Sequence, residues 1–131
     1  MARGSLSLAV VGAQYPNADK RAPTRRFAID LCRPGDRVEL RPEPKNPKDE
    51  YAIAVHNRES MQMGYLAAER APWIGAMLNK GRVIAAIFQA PTQYGALIRV
   101  AFDGLVPTLP ASRESAGDDP DFYPDEVYPD D

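Results

Sequence analysis

Apolar and polar positions alternate over several short runs, and only one stretch follows a helical period. Ser5 to Val11, an apolar run ending at Gly12, predicts a first strand. Tyr15 to Thr24 (YPNADKRAPT) is rich in turn formers and predicts a loop. Arg25 to Leu31 (RRFAIDL) alternates and predicts a second strand. Arg33-Pro34-Gly35-Asp36 is a turn signal with Pro in second position. Arg37 to Arg41 alternates again, with Val38 and Leu40 on one face. Ala52 to Asn57 follows, with Ile53 and Val55 inward, and Met61 to Leu66 pairs with it as a hairpin. The helical stretch is AAERAPWIGAMLNKG. Pro72 suits a first turn, where its missing N–H is harmless. Trp73, Ile74, Met77 and Leu78 share a face and are expected in the core, and Gly81 suits the residue past the end. Arg82–Gln89 and Tyr94–Phe102 read as two long strands joined by APTQ.

These elements predict a mainly β protein with one or two short helices, closed as a small OB-like or SH3-like β-barrel. The 131 residues fit one domain, and 44% apolar content supports a modest core. The expected boundaries are a barrel over residues 1–108 and an acidic, proline-bearing tail over 109–131. Charge sharpens that division. All 16 Lys and Arg fall within residues 1–113 together with 10 of the 18 acids, leaving that part near +6. From Glu114 onward there are 8 acids and no basic residue, with Phe122, Tyr123 and Tyr128 between them. Such a segment reads as disordered. It solubilises the protein, or it folds back on the basic face and competes with a polyanion, its rings and acids mimicking bases and phosphates.

Little in the chain suggests catalysis. No eighteen-residue apolar run spans a membrane, and the start does not read as a signal peptide. Cys32 is the lone cysteine, so neither an intrachain disulfide nor a cysteine zinc site is expected, and a reducing cytoplasm is the natural compartment. His56, the lone histidine, reads as structural or solvated. Phosphate-loop, dinucleotide, nucleophile-elbow and zinc-protease motifs are all missing. Asp49 and Glu50 could hold a metal, but adjacent acids on an extended segment face opposite sides. No catalytic residue, metal or cofactor is expected.

One block stands out. Arg41 to Val55 (RPEPKNPKDEYAIAV) sets three prolines, an Asn and an acid pair directly before a clean strand. With Val11-Gly12 and Tyr15 before it, the Pro34-Gly35-Asp36 turn, the run Glu43-Pro44-Lys45-Asn46-Pro47-Lys48-Asp49, then Ala52-Ile53-Ala54-Val55 and Gly64-Tyr65-Leu66, the chain resembles the HIRAN domain over roughly residues 6–102. That module stands at the N-terminus of some fork-remodelling helicases and alone in bacterial proteins. The resemblance implies an OB-like barrel that binds single-stranded DNA, in the eukaryotic remodelers at its free 3′ end. It implies repair or replication proteins as partners and a nucleoid-associated location.

The chemistry of a 3′ terminus fits residues in that pattern. A base needs an aromatic platform, a hydroxyl needs a carboxylate that accepts its proton and repels an extra phosphate, and phosphates need cations. By the resemblance, Asp49 accepts the hydroxyl and Asn46 offers its amide to the sugar or base. Tyr15 and Tyr94 take the base, and Tyr65 and Lys48 take the phosphates. Arg25, Arg26 and Lys45 crowd the same region. Three positions depart from the remodelers' pattern. Gln14 stands where they carry Arg before the first aromatic, Lys48 where they carry an aromatic, and Ala68 where they carry Lys. One stacking surface and two positive charges are thereby lost, and Lys48 restores one charge. The expected activity is sequence-independent binding by a monomer that weakens steeply with salt. The rival reading is a protein-interaction module that takes a peptide on an exposed strand edge or uses the acidic tail as its contact.

Overall fold

The computed structural model describes residues 5–110. The order is β1 (Ser5–Val11), α1 (Arg25–Asp30), β2 (Arg37–Pro42), β3 (Ile53–His56), β4 (Gln62–Leu66), α2 (Ala71–Asn79), β5 (Ile84–Pro91) and β6 (Ala96–Phe102). The six strands close into an antiparallel barrel in the order β1-β4-β3-β2-β5-β6. The expected mainly β barrel with two short helices is therefore what forms. The acidic tail, and its reading as disordered, falls outside the described residues from residue 111 onward. No helix among the described residues is long and apolar enough to cross a membrane.

Alternation builds the interior. Leu8, Val10, Ile53, Val55, Met63, Phe88, Ile98 and Val100 are each at most 1% exposed and fill the barrel from every side. β1 and β6 pair from Ser5↔Ala101 to Val10↔Ala96. β1 reaches β4 only at its end, through Val10↔Leu66 and Val11↔Tyr65. Two glycines permit this closure. A Cβ on Gly95 would overlap the carbonyl oxygen of Val10, and one on Gly64 the carbonyl oxygen of Val11. Each strand has a hydrogen-bonded neighbour on both sides, but β1 meets β4 only at Val10 and Val11 and β2 meets β5 only at Arg37 and Val38.

Arg25–Leu31 is a helix, not the expected strand. Its alternation fitted a period of two, but the buried residues are Arg25, Ala28 and Ile29, at helical spacing. Phe27 and Leu31, which the strand reading would have buried beside Ile29, are 48% and 45% exposed. The start signal is Thr24, whose Oγ1 accepts the Phe27 N–H at 3.1 Å. Buried Asn57 ties α1 to the β3–β4 turn. Its Nδ2 donates to the Ala28 carbonyl at 3.0 Å, and its Oδ1 accepts the Glu59 and Met61 N–H groups.

α2 lies where expected, with Pro72 in its first turn. Gly81 follows it at φ +83, and the Arg82 N–H returns to the Met77 carbonyl at 3.1 Å. Trp73 is not core. Ala71, Ile74 and Met77 are the buried face, and Trp73, about 100° around the helix from Ile74, is 43% exposed.

Candidate functional site

The β2–β3 connection is a loop locked by its own groups. The Asn46 N–H donates to the Glu43 carbonyl at 2.9 Å, closing a turn with Pro44 in its second position. The Ala52 N–H donates to the Asp49 carbonyl at 3.0 Å, closing a second turn. Asn46 Oδ1 joins the two across Pro47 by accepting the Lys48 and Asp49 N–H groups at 2.9 and 3.3 Å. The Glu43 N–H then meets the Ala52 carbonyl at 2.8 Å, where the loop rejoins the β2–β3 ladder. Pro44 thus stiffens the first turn and Pro47 the link to the second, and the Asn bolts the two turns together.

A groove of about 1090 Å³ opens between this loop, the end of β1 with the Gly12–Ala18 arm, and the β4 residues Gln62 and Tyr65. Val11, Pro16, Ala18, Pro44, Pro47, Ala52, Leu66 and Ala68 make much of it apolar. Tyr15 lines it and is 60% exposed. The arm is held from below. The Gly12 carbonyl accepts the Tyr15 N–H at 3.0 Å and Arg25 Nη1 at 3.0 Å. Arg25 is 7% exposed; its Nε donates to Asn17 Oδ1 at 2.8 Å and its guanidinium lies 5.3 Å from the Tyr65 ring centroid. This buried arginine braces the groove rather than projecting into solvent.

Glu43, to which no role was assigned from sequence, is the hub of the floor. Its Oε1 accepts the Tyr65 hydroxyl at 2.8 Å and Asn46 Nδ2 at 2.9 Å. Burial pushes the Tyr65 phenol above its usual range, so it stays a donor. The only signal for Glu43 was its place at the head of the Glu-Pro-x-Asn-Pro block. Both ends of the Asn46 amide are engaged within the loop, so Asn46 shapes the site. Asp49 is half engaged. Its Oδ1 accepts the Tyr51 N–H at 2.8 Å, and its Oδ2 has no hydrogen bond among the described residues. Lys45 and Lys48 are exposed on the rim and make no ion pair among the described residues.

Two expected site residues stand off the groove lining. Arg26 Nη2 donates to the Thr92 and Gln93 carbonyls at 3.2 and 3.0 Å, which fastens α1 to the β5–β6 turn. Tyr94 is 57% exposed on that same turn, and its carbonyl accepts the Ala13 N–H at 3.0 Å. Glu50 does not line the groove, and no three His, Cys, Asp or Glu side chains gather as metal ligands among the described residues.

The sequence profile of the HIRAN domain matches residues 3–97. The chain belongs to the HIRAN family. No curated protein gives a sequence match. Among solved structures, the crystal structure of the human HLTF HIRAN domain is similar at 25% identity and a TM-score of 0.59, over 76% of this chain and 74% of that one. The HLTF HIRAN domain in its DNA-bound conformation is similar at 25% identity and a TM-score of 0.54, over 86% of this chain and 82% of that one. A Lactobacillus plantarum protein shares the fold at 20% identity and a TM-score of 0.60, over 76% of this chain and 92% of that one.

Proposed function

We propose that this HIRAN domain is a non-enzymatic DNA-binding module whose groove takes the end of a single strand, with a free 3′ hydroxyl preferred. Membership of the family and the likeness to a domain solved in a DNA-bound conformation support DNA as the ligand class. The observation that carries the finer reading is the half-used carboxylate of Asp49, fixed by a rigid loop on the wall of a groove that also holds an exposed ring. Tyr15 stacks on the terminal base. Asp49 Oδ2 accepts the 3′ hydroxyl and repels a terminal phosphate. Lys45 and Lys48 meet the backbone phosphates. Asn46, Glu43, Tyr65 and Arg25 hold these groups in place without spending their own donors on the ligand. Tyr94 extends the stacking surface at the rim, and Arg26 positions the turn that carries it. The protein acts as a monomer in the cytoplasm, on the nucleoid, alongside repair or replication proteins.

Fluorescence anisotropy at low salt tests this with a short 3′-hydroxyl strand, the same strand 3′-phosphorylated, and a blunt duplex. The 3′-hydroxyl strand should bind best, and Asp49→Ala should erase its advantage over the phosphorylated strand. Equal affinity of the unaltered protein for both single strands would reject end reading while keeping strand binding. No binding to any of the three would reject DNA as the ligand.

A further inference from the structure

The opposite end of β6 carries an exposed aromatic and cationic face that no part of the groove uses. Trp73 packs against Phe102 with ring centroids 5.9 Å apart and planes at 54°. The Arg70 guanidinium lies 5.8 Å from the Trp73 centroid, and the Arg82 guanidinium 5.8 Å from the Phe102 centroid. Arg82 is steered there by Asp103, which accepts its Nε and Nη2 at 3.0 and 2.7 Å. Val83 and Leu105 flank the rings at 60% and 55% exposure. Aromatic rings, arginines and flanking aliphatics in one patch are the composition of an interaction surface, since such side chains lose most by facing water.

The sequence itself holds a complementary occupant. After Arg113 come 8 acids and no basic residue, with Phe122 and Tyr123 inside the run DDPDFYPDE. The exit point of the described chain favours this pairing. Thr108 is tied down by its N–H to Ser5 Oγ at 3.0 Å and by its carbonyl, which accepts Arg99 Nε at 2.9 Å. Ser5 lies opposite Ala101, the neighbour of Phe102, so the chain is anchored at the same end of β6 as the patch, on the other face of the strand. From Pro110 to Phe122 an extended chain reaches about 40 Å, ample to cover it. We propose that the acidic C-terminal segment around Phe122 and Tyr123 docks in cis on the Trp73–Phe102 face, its rings on the aromatic pair and its carboxylates toward Arg70. The proposal is independent of the DNA reading, because none of these face residues lines the groove.

Trp73 is the only tryptophan, so fluorescence excited selectively at the red edge, where tyrosine does not absorb, reports this face alone. The full chain is compared with its Phe122→Ser/Tyr123→Ser variant, both alterations lying outside the barrel. Docking predicts that the variant's emission shifts to longer wavelength and loses protection from acrylamide quenching. It also predicts that high salt partly reproduces that loss in the unaltered chain, as ion pairing is screened. The protection should not change on dilution. Equal quenching of the two chains would overturn the proposal. Protection that disappears on dilution would overturn docking in cis and assign the face to a second copy. Protection supplied by an added oligonucleotide but not by the tail would overturn it in favour of a nucleic-acid surface.

Discussion

Tyr15 and Tyr65 are both groove tyrosines, but their surroundings separate their roles. Tyr15 is 60% exposed and its side chain has no hydrogen bond among the described residues, whereas the Tyr65 hydroxyl is committed to Glu43 at 2.8 Å. Tyr15→Ala should therefore weaken single-strand binding by ~1–3 kcal/mol with stability nearly unchanged. Tyr65→Phe should loosen the loop and lower stability, because it removes a donor from a half-buried carboxylate. Anisotropy and urea unfolding on both variants read this split, and a reversed pattern would exchange the two roles. His56 supplies a pH effect apart from the groove. Its Nδ1 is buried with no hydrogen-bond partner among the described residues, and burial first, then the Arg41 charge, hold its pKa below the usual histidine value. The unfolded chain binds this proton more readily than the folded one, so stability should fall as pH drops below about 6.5. Glu39 and Asp103, with pKa values lowered chiefly by their hydrogen bonds to Arg41 and Arg82, lose their contributions only at more acid pH. Urea midpoints at pH 7.5 and 5.5 should thus differ, and His56→Gln should remove most of the difference. An unchanged difference would place the titrating group elsewhere. Asp49 was legible as a candidate from its motif. That Asn46 and Arg25 face inward was not, because residue type does not reveal where a donor is spent.

The elements that shape the groove meet at places where sequence signals are short. Alternation predicted the strands well wherever one face is core, as at Val38 and Leu40. It failed at Arg25–Leu31, where seven residues fit periods of two and of 3.6 about equally and the cap at Thr24 decides. The closure between β1 and its neighbours was illegible, since it depends on backbone contacts of Gly64 and Gly95 between segments far apart in the chain. The two features predict different penalties. Thr24→Ala should cost about 1 kcal/mol, the ordinary loss of an N-cap. Gly95→Ala forces a Cβ against the Val10 carbonyl, which strand pairing holds in place, and should cost at least the ~1–3 kcal/mol of an overpacked site. Chemical denaturation of the two variants orders them, and a Gly95→Ala protein as stable as the parent would mean that β1 gives way easily there. Because α1 also presents the arginine that braces the Tyr15 arm, Thr24→Ala should weaken DNA binding as well, while Gly81→Ala, at the far end of α2, should not.

Net charge and the groove make different statements about salt. A segment near +6 suggests a steep electrostatic dependence. The fold spends much of that charge internally: Arg25 on Gly12 and Asn17, Arg26 on the β5–β6 turn, Arg41 on Glu39, Arg82 on Asp103. Of the cations on the groove lining, Lys45 and Lys48 are exposed and Arg25 is buried. Each phosphate neutralised on a single strand contributes about −0.7 to the slope of log K against log salt. A strand held by two lysines should give a slope of about −1.4, whereas diffuse attraction by a charge near +6 would give about −4. Lys45→Ala and Lys48→Ala should each remove about 0.7 from the slope. Neither should abolish the proposed preference for a 3′ hydroxyl, which the proposal assigns to Asp49. Binding measured between 50 and 300 mM salt on the parent and both variants separates the two regimes, within the range where screening changes appreciably over about 10 Å. A slope near −4, unchanged in either lysine variant, would put the strand on the barrel's outer surface. The groove beside the Asn-Pro-Lys-Asp loop would then have to be assigned to another ligand.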